Sequence, residues 1–214
     1  MNDQEALVIL GENQAIIVDS HIVYTSGKHG MAYVNKDAVY PHTRATSKLC
    51  HTIAARFLSD DVEAVIAPAV GGVILSQWTA YHLSLFTSRD VLGTYADKVK
   101  VNDEDDFIIK RGYDKLIAGK RVLVVEDLLT TGGSVRKVVA AVRAVGGIVV
   151  GVGVLCNRGG VTPAALGDVP KLTALIDLEM EAWDEADCPL CKKGIPINTD
   201  VGKGREFLAR RKME

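Results

Sequence analysis

Nothing in the 214-residue sequence approaches an apolar run of the roughly 20 residues that a membrane-spanning helix needs. The first ten residues, MNDQEALVIL, carry acids where a secretory signal would carry a basic stretch. No block of lysine and arginine stands out, and the formal net charge is −2. That balance argues against nucleic-acid wrapping and against adsorption to a membrane surface. A bound phosphate would have to be held by a local site, because the overall field does not attract it. The four cysteines, Cys50, Cys156, Cys188 and Cys191, are too few and too unevenly spaced for a secreted disulfide scaffold. A cytoplasmic location is therefore expected. Walker A and complete GxGxxG patterns are absent, and His21, His29, His42, His51 and His82 form no HExxH or other ligand spacing. There is no internal repeat and no low-complexity linker.

What is present is a composition of 48% hydrophobic and 24% charged residues, ample for a core and typical of a folded domain. The length suits one α/β domain, with room for a small cap. Helix-forming residues run from Asp3 to Leu10. Ala15–Val18 and Ile22–Val34 read as extended, with a loop at Thr25–Gly30. A helix is expected over Thr43–Leu58 with Thr43 as its capping residue, then a strand over Asp61–Ala69. Gly71 and Gly72 open a further helix to about Leu83. Val91–Tyr95 reads as a strand, with Phe107–Lys110 as its hairpin partner and the acidic stretch Asp103–Asp106 as a solvated tip. Arg121–Val125 is an apolar strand, Glu126–Gly133 a loop and Ser134–Val145 a helix stopped by Gly146 and Gly147. Ile148–Leu155 and Thr173–Ile176 add strands, and Gly204–Lys212 a basic tail helix. Apolar strands alternating with helices predict a central parallel sheet flanked by helices. Ligands of such sheets bind beyond the carboxyl ends of the strands.

The stretch VLVVEDLLTTGGS, Val122–Ser134, joins three features on one strand-loop-helix. Two adjacent carboxylates, Glu126 and Asp127, follow the apolar strand. After Leu128 and Leu129 come the hydroxyls and glycines Thr130, Thr131, Gly132, Gly133 and Ser134. A helix then begins, so its N–H groups and positive dipole end face the loop. Glycines let backbone close around a phosphate, and hydroxyls add donors. The carboxylates would repel that phosphate, and suit ribose hydroxyls and a metal-water shell instead. A loop that grips a phosphate and a diol together is a ribose 5-phosphate site.

This stretch resembles the motif with which type I phosphoribosyltransferases bind 5-phosphoribosyl 1-diphosphate (PRPP). TSGKHGMAYVNKD, Thr25–Asp37, resembles the N-terminal hood motif of orotate phosphoribosyltransferases. IAPAVGG, Ile66–Gly72, resembles their pyrophosphate loop, and NRGG, Asn157–Gly160, the segment that sets an arginine on the base. The resemblance covers about residues 20–160. It implies the type I phosphoribosyltransferase fold with a small hood from about residues 1–40 plus the C-terminal segment, and a core over about 43–180. It also implies a homodimer, Mg²⁺ held mainly by PRPP and water near Glu126 and Asp127, and transfer of ribose 5-phosphate to orotate with release of pyrophosphate. A purine or uracil base, or a non-catalytic PRPP-sensing regulator, are the competing functional readings.

On the same resemblance Glu126 and Asp127 hold the ribose, backbone around Val70, Gly71 and Gly72 receives pyrophosphate, and Lys98, Lys100, Lys110 and Arg111 are candidates for a cationic clamp. The family's flexible loop carries a histidine that the interval from Tyr95 to Tyr113 lacks. Asn157 also stands where the family has aspartate. Arg158 either forks onto the orotate carboxylate or is a solvated surface arginine. Tyr33 either covers the base or is a core aromatic, and Lys28 either reaches a phosphate or is a solvated loop lysine. Cys188 and Cys191 have the spacing of half a zinc site. They also read as a redox pair or as plain thiols.

Overall fold

A computed structural model of the chain describes residues 3–178 and 181–211. In chain order its helices are α1 (Asp3–Glu12), α2 (Lys36–Val39), α3 (Thr43–Arg56), α4 (Val73–Thr87), α5 (Tyr113–Ile117), α6 (Gly133–Ala144), α7 (Pro189–Lys192) and α8 (Gly204–Arg211). Its strands are β1 (Ile16–Ile17), β2 (Ile22–Val23), β3 (His29–Gly30), β4 (Tyr33–Val34), β5 (Ala64–Pro68), β6 (Leu92–Val101), β7 (Glu104–Ile108), β8 (Arg121–Leu129), β9 (Ile148–Asn157), β10 (Leu172–Asp177) and β11 (Ala182–Trp183). Two compact units emerge. The first comprises Met1–Ala6 and His42–Leu178, the second Leu7–Pro41 and Glu179–Glu214.

The first unit is built on a six-stranded sheet of order β10-β9-β8-β5-β6-β7. Every neighbouring pair is parallel except β6 and β7, which form an antiparallel hairpin at one edge. The expected parallel sheet is thus a mixed one with a single antiparallel edge strand. β5 is buried along its whole length, and β9 is buried from Val149 onward. Unbroken apolar runs of this kind are what a strand covered on both faces requires.

Successive residues of β8 and β9 face opposite ways. Val122, Val124, Val152 and Val154 share a core with Val135, Val138, Val139 and Val142 of α6. On the other face Gly151 and Gly153 meet α3 and the residue after it. A Cβ built on Gly153 would stand 2.6 Å from Ile53 and 3.2 Å from Phe57. The two glycines therefore leave room for the helix to lie close on the sheet.

Several boundaries differ from expectation. β8 does not stop at Val125 but runs through Glu126 and Asp127 to Leu129, because β9 continues to pair with it as far as Leu129 and Asn157. The acidic residues Glu104, Asp105 and Asp106 begin edge strand β7, with Lys100 of β6 opposite Asp105, and only Asn102 and Asp103 make the turn. Thr43 is the first helical residue of α3, and His42 takes the cap position without a side-chain bond. Helices α2, α5 and α7 and strand β11 were not expected. Lys212, the expected end of the tail helix, lies outside the described residues. Among the described residues no helix is long and apolar enough to cross a membrane.

In the second unit the extended stretch expected over Ile22–Val34 resolves into three two-residue strands. β1 pairs with β4, and β3 is the middle of a small antiparallel sheet of order β11-β3-β2. Replacing Gly153 by alanine should overpack the α3 face. We expect a stability loss of about 1–3 kcal/mol, read as a lower urea midpoint at unchanged slope.

Candidate functional site

The site lies at the carboxyl ends of β5, β8 and β9 in the first unit. Glu126 and Asp127 are both buried, at 9% and 6% exposure, near the end of β8. The Asp127 amide donates to Glu126 Oε1 at 3.0 Å, which fixes the first carboxylate against the backbone of the second. The pyrophosphate-loop candidates approach this pair closely. A Cβ on Gly72 would lie 2.6 Å from Ala67 Cβ, 3.0 Å from the Pro68 carbonyl and 3.5 Å from Glu126 Oε1. Gly72 is therefore packed with no space for a side chain. Val70 beside it is 85% exposed and follows a cis peptide from Ala69. The Ala69 amide donates to Ala96 of β6 at 2.9 Å, anchoring the loop to the neighbouring strand.

Past Leu129 the chain turns through Thr130 and Thr131, both exposed, into Gly132 at a φ of 74°. That left-handed conformation suits glycine. Gly132 caps α6 without offering a side-chain acceptor to its first turn. The Gly133 amide reaches Thr131 Oγ1 at 3.4 Å. Glu126, Leu128, Leu129, Thr130, Thr131, Gly132, Gly133 and Ser134 line a pocket of about 70 Å³ here. It combines a helix N-terminus with exposed hydroxyls, which is the chemistry of an anion cradle. A larger cavity of about 330 Å³ lies in the second unit between Tyr24 and α8, where Lys203 and Glu206 pair with each other at 2.8 Å. Gly27 makes a turn at its edge, but no carboxylate pair lines it, so the smaller pocket is the better ribose phosphate site.

The segment after β9 closes on this turn. The Arg158 amide donates to the Leu129 carbonyl at 3.0 Å, and a Cβ on Gly159 would coincide with the Thr130 carbonyl. Asn157 locks the segment. Its Nδ2 donates to the Val161 carbonyl at 3.1 Å and its Oδ1 accepts from the Val161 amide at 3.0 Å, both buried. This bears on the departure seen in the sequence, since an aspartate there could accept from Val161 but not donate to it. Arg158 itself is half-buried. Cys156, one residue earlier, is buried, and burial pushes its thiol up to about 12, so it is no nucleophile.

The clamp candidates sit on the β6–β7 hairpin and the turn after it. Lys98 is not a loose cation. It pairs with Asp105 at 2.6 Å, as does Lys100 at 2.7 Å. Hydrogen bonds from Lys100 and Lys98 hold the Asp105 carboxyl down at about 2. Arg111 takes a left-handed φ of 62°, which an arginine rarely adopts. Its guanidinium lies 5.8 Å from the Tyr95 ring centre and 3.5 Å from Asp97. Lys110 accepts a backbone bond from Tyr113 in the same turn. The sequence pointed to these cations but not to Asp105, Asp97 and Tyr95, which engage them across the hairpin. Lys28 and Tyr33 belong to the second unit. There Lys28 pairs with Asp184 at 3.3 Å, and half-buried Tyr33 sits opposite Ile17 on β4.

Residues 37–184 match the family described as phosphoribosyl transferase domain. The chain belongs to the phosphoribosyltransferase family. An orotate phosphoribosyltransferase of Desulforamulus reducens is 38% identical over 199 residues, covering 92% of this chain and 95% of the relative. One of Pelotomaculum thermopropionicum is 36% identical over 193 residues, covering 90% and 94%. Among solved structures, orotate phosphoribosyltransferase from Aeropyrum pernix aligns with a TM-score of 0.59 at 25% identity, over 81% of this chain and 93% of that one. The fold expected from the sequence is therefore that of this phosphoribosyltransferase. The family match starts at Asp37, so the glycine turn, both carboxylates and the Asn157 segment fall inside it, while Lys28 and Tyr33 precede it.

Replacing Asn157 by aspartate should leave the Val161 carbonyl without its donor. The expected cost is about 1–3 kcal/mol, measured by chemical denaturation, with the Arg158 amide exchanging faster in native-state hydrogen exchange.

Proposed function

We propose that the chain transfers ribose 5-phosphate from PRPP to orotate, releasing pyrophosphate and forming orotidine 5′-monophosphate. The observation that carries this reading is the buried carboxylate pair Glu126 and Asp127, two residues upstream of a hydroxyl-rich glycine turn that opens α6. Relatives matching nine tenths of the chain carry that activity in their names.

The reaction needs a ribose held with C1 facing the base and a leaving group whose growing charge is met. The α6 N-terminus, with Thr130, Thr131 and Ser134, takes the 5-phosphate through amides and hydroxyls. Glu126 and Asp127 accept hydrogen bonds from the ribose hydroxyls and so orient C1. Backbone amides at Val70 and Gly71 receive pyrophosphate, close to Glu126 because Gly72, whose amide donates to the Pro68 carbonyl at 3.2 Å, has no side chain. Arg158 forks onto the orotate carboxylate, a planar match that lysine would not provide. Arg111, braced on Tyr95, supplies positive charge toward the leaving group, and Lys110 stands beside it. Lys98 is the weaker clamp candidate, since Asp105 already engages it. Lys28 and Tyr33 remain candidates for the phosphates and the base.

The carboxylate pair offers oxygen donors, which suit Mg²⁺ retaining much of its water shell. Glu126 and Asp127 would hold it through water, and when bound it neutralises pyrophosphate charge. No side chain has to form a covalent intermediate, so catalysis rests on positioning and charge. None of the four cysteines is paired in a disulfide, in keeping with a reducing cytoplasm. α4 exposes Ile74, Tyr81 and Leu85 with half-buried Trp78 at helical spacing, an apolar stripe suited to the homodimer that the family resemblance implies.

Purified protein given PRPP, Mg²⁺ and orotate should consume orotate and release pyrophosphate in equal amounts. Pyrophosphate release with a purine or uracil in place of orotate would reassign the base. PRPP binding without turnover on any base would make the chain a sensor. Asp127→Asn should lower turnover by roughly 10–100-fold, the loss of a charge-assisted bond, with little change in stability. Arg158→Ala should raise the KM for orotate by a similar factor and leave that for PRPP nearly unchanged.

A further inference from the structure

The second unit holds four side chains that the phosphoribosyl chemistry does not use. His21, just before β2, and His29 on β3 meet Cys188 and Cys191, which flank the first turn of α7. His21, His29 and Cys188 are at most 2% exposed, and Cys191 is half-buried. Their ligand atoms all lie within 4.8 Å of one another. Cys188 Sγ and Cys191 Sγ each stand 3.6 Å from His21 Nε2, and Cys191 Sγ is 3.3 Å from His29 Nδ1. The two ring nitrogens are 2.9 Å apart.

The nitrogen–sulfur separations are close to the edges of a metal tetrahedron, and the nitrogen–nitrogen one is shorter. Zinc bonds of ordinary length give nitrogen–sulfur edges of about 3.6 Å and nitrogen–nitrogen edges of about 3.3 Å. Hydrogen bonding alone does not account for the arrangement. His21 Nδ1 lies 2.7 Å from the Ile195 carbonyl, so that nitrogen carries the proton and Nε2 keeps a single lone pair. With His29 Nδ1 protonated, three donors converge on that one lone pair; with the proton on its other nitrogen, two ring lone pairs face each other at 2.9 Å. One lone pair satisfies one donor well. A cation at the centre satisfies all four groups at once. A ligating histidine whose other ring nitrogen donates to a backbone carbonyl is the usual outer support of a metal site. Here the carbonyl comes from the turn that follows the two cysteines, where the Ile195 amide bonds back to Leu190 at 3.0 Å.

We propose that His21, His29, Cys188 and Cys191 bind one structural Zn²⁺ that staples the two chain segments of the second unit together. Four protein ligands of this type fill a tetrahedral zinc and leave no open position for catalysis. The need for a staple follows from the unit's make-up. It falls in the size range, below roughly 70–80 residues, where a core alone gives little stability. Its strands are two residues long, and among the described residues its later stretch buries only two large apolar side chains, Leu190 and Phe207, against the earlier one. Bound zinc holds both sulfurs as thiolates.

The test uses the full chain, purified under reducing conditions without chelator. Elemental analysis should give one zinc per chain. Protein stripped with a chelator and given Co²⁺ should develop the visible bands of a tetrahedral site and thiolate-to-cobalt charge transfer. Cys191→Ser should lose both metal and bands, while Cys50→Ser keeps them. Stripping should lower the melting temperature, and Zn²⁺ should restore it, a readout that does not need the variants to fold. These signals are independent of turnover, so they stand or fall apart from the proposed activity. Folded, reduced protein that holds no zinc and gives no cobalt bands overturns the proposal. So does a Cys188–Cys191 disulfide, seen as two titratable thiols in denaturant instead of four.

Discussion

The hydrogen-bonded ladder between β8 and β9 is the constraint from which the site follows. It continues four residues past the point where the apolar run of β8 ends, through Glu126 and Leu128 to Leu129 opposite Asn157. Because the ladder persists, two carboxylates are carried into a buried position that side-chain preference alone would refuse. The same ladder delivers the Asn157 segment to the glycine turn, so that the Arg158 amide and Gly159 close on Leu129 and Thr130. One backbone arrangement thus sets the spacing between the anion cradle and the arginine. β5 on the other side of β8 brings Gly72 against Glu126 by the same logic.

Much of this was legible beforehand. Hydrophobic runs marked β5, β8 and β9, and glycine pairs marked where α4 starts and α6 ends. The glycine-and-hydroxyl turn announced its phosphate chemistry through residue type alone. The end of β8 was not legible, because acids after an apolar run look like the start of a loop. Only pairing with β9, a tertiary fact, keeps them in the strand. The acidic first half of strand β7 was hidden for a related reason, although its Phe107 end was expected. A cluster of acids reads as a solvated tip, yet an edge strand tolerates charge well, and Lys98 and Lys100 across the hairpin offset it.

The cysteine and histidine cluster marks the limit of reading by spacing. Cys188 and Cys191 form a visible pair, but His21 and His29 obey no ligand pattern with them or with each other. Their partnership exists because β3 pairs with β11, which brings distant parts of the chain side by side. Local periodicity carries no trace of such a contact. Lys28 shows the same limit, since its partner Asp184 lies across the same pairing.

The second unit is drawn from two stretches that flank nearly all of the first unit in sequence. On a ribosome the earlier stretch emerges first and then waits, because the middle strand β3 has only β2 beside it until β11 is made. The first unit meanwhile has almost all of its strands in one continuous stretch and can collapse during synthesis. Completion of the second unit must then join ends held far apart along the chain, a slow kind of closure. The order of synthesis therefore gives this protein a finished sheet before it has a finished partner unit, and a chain halted after Leu178 would keep the one and lack the other.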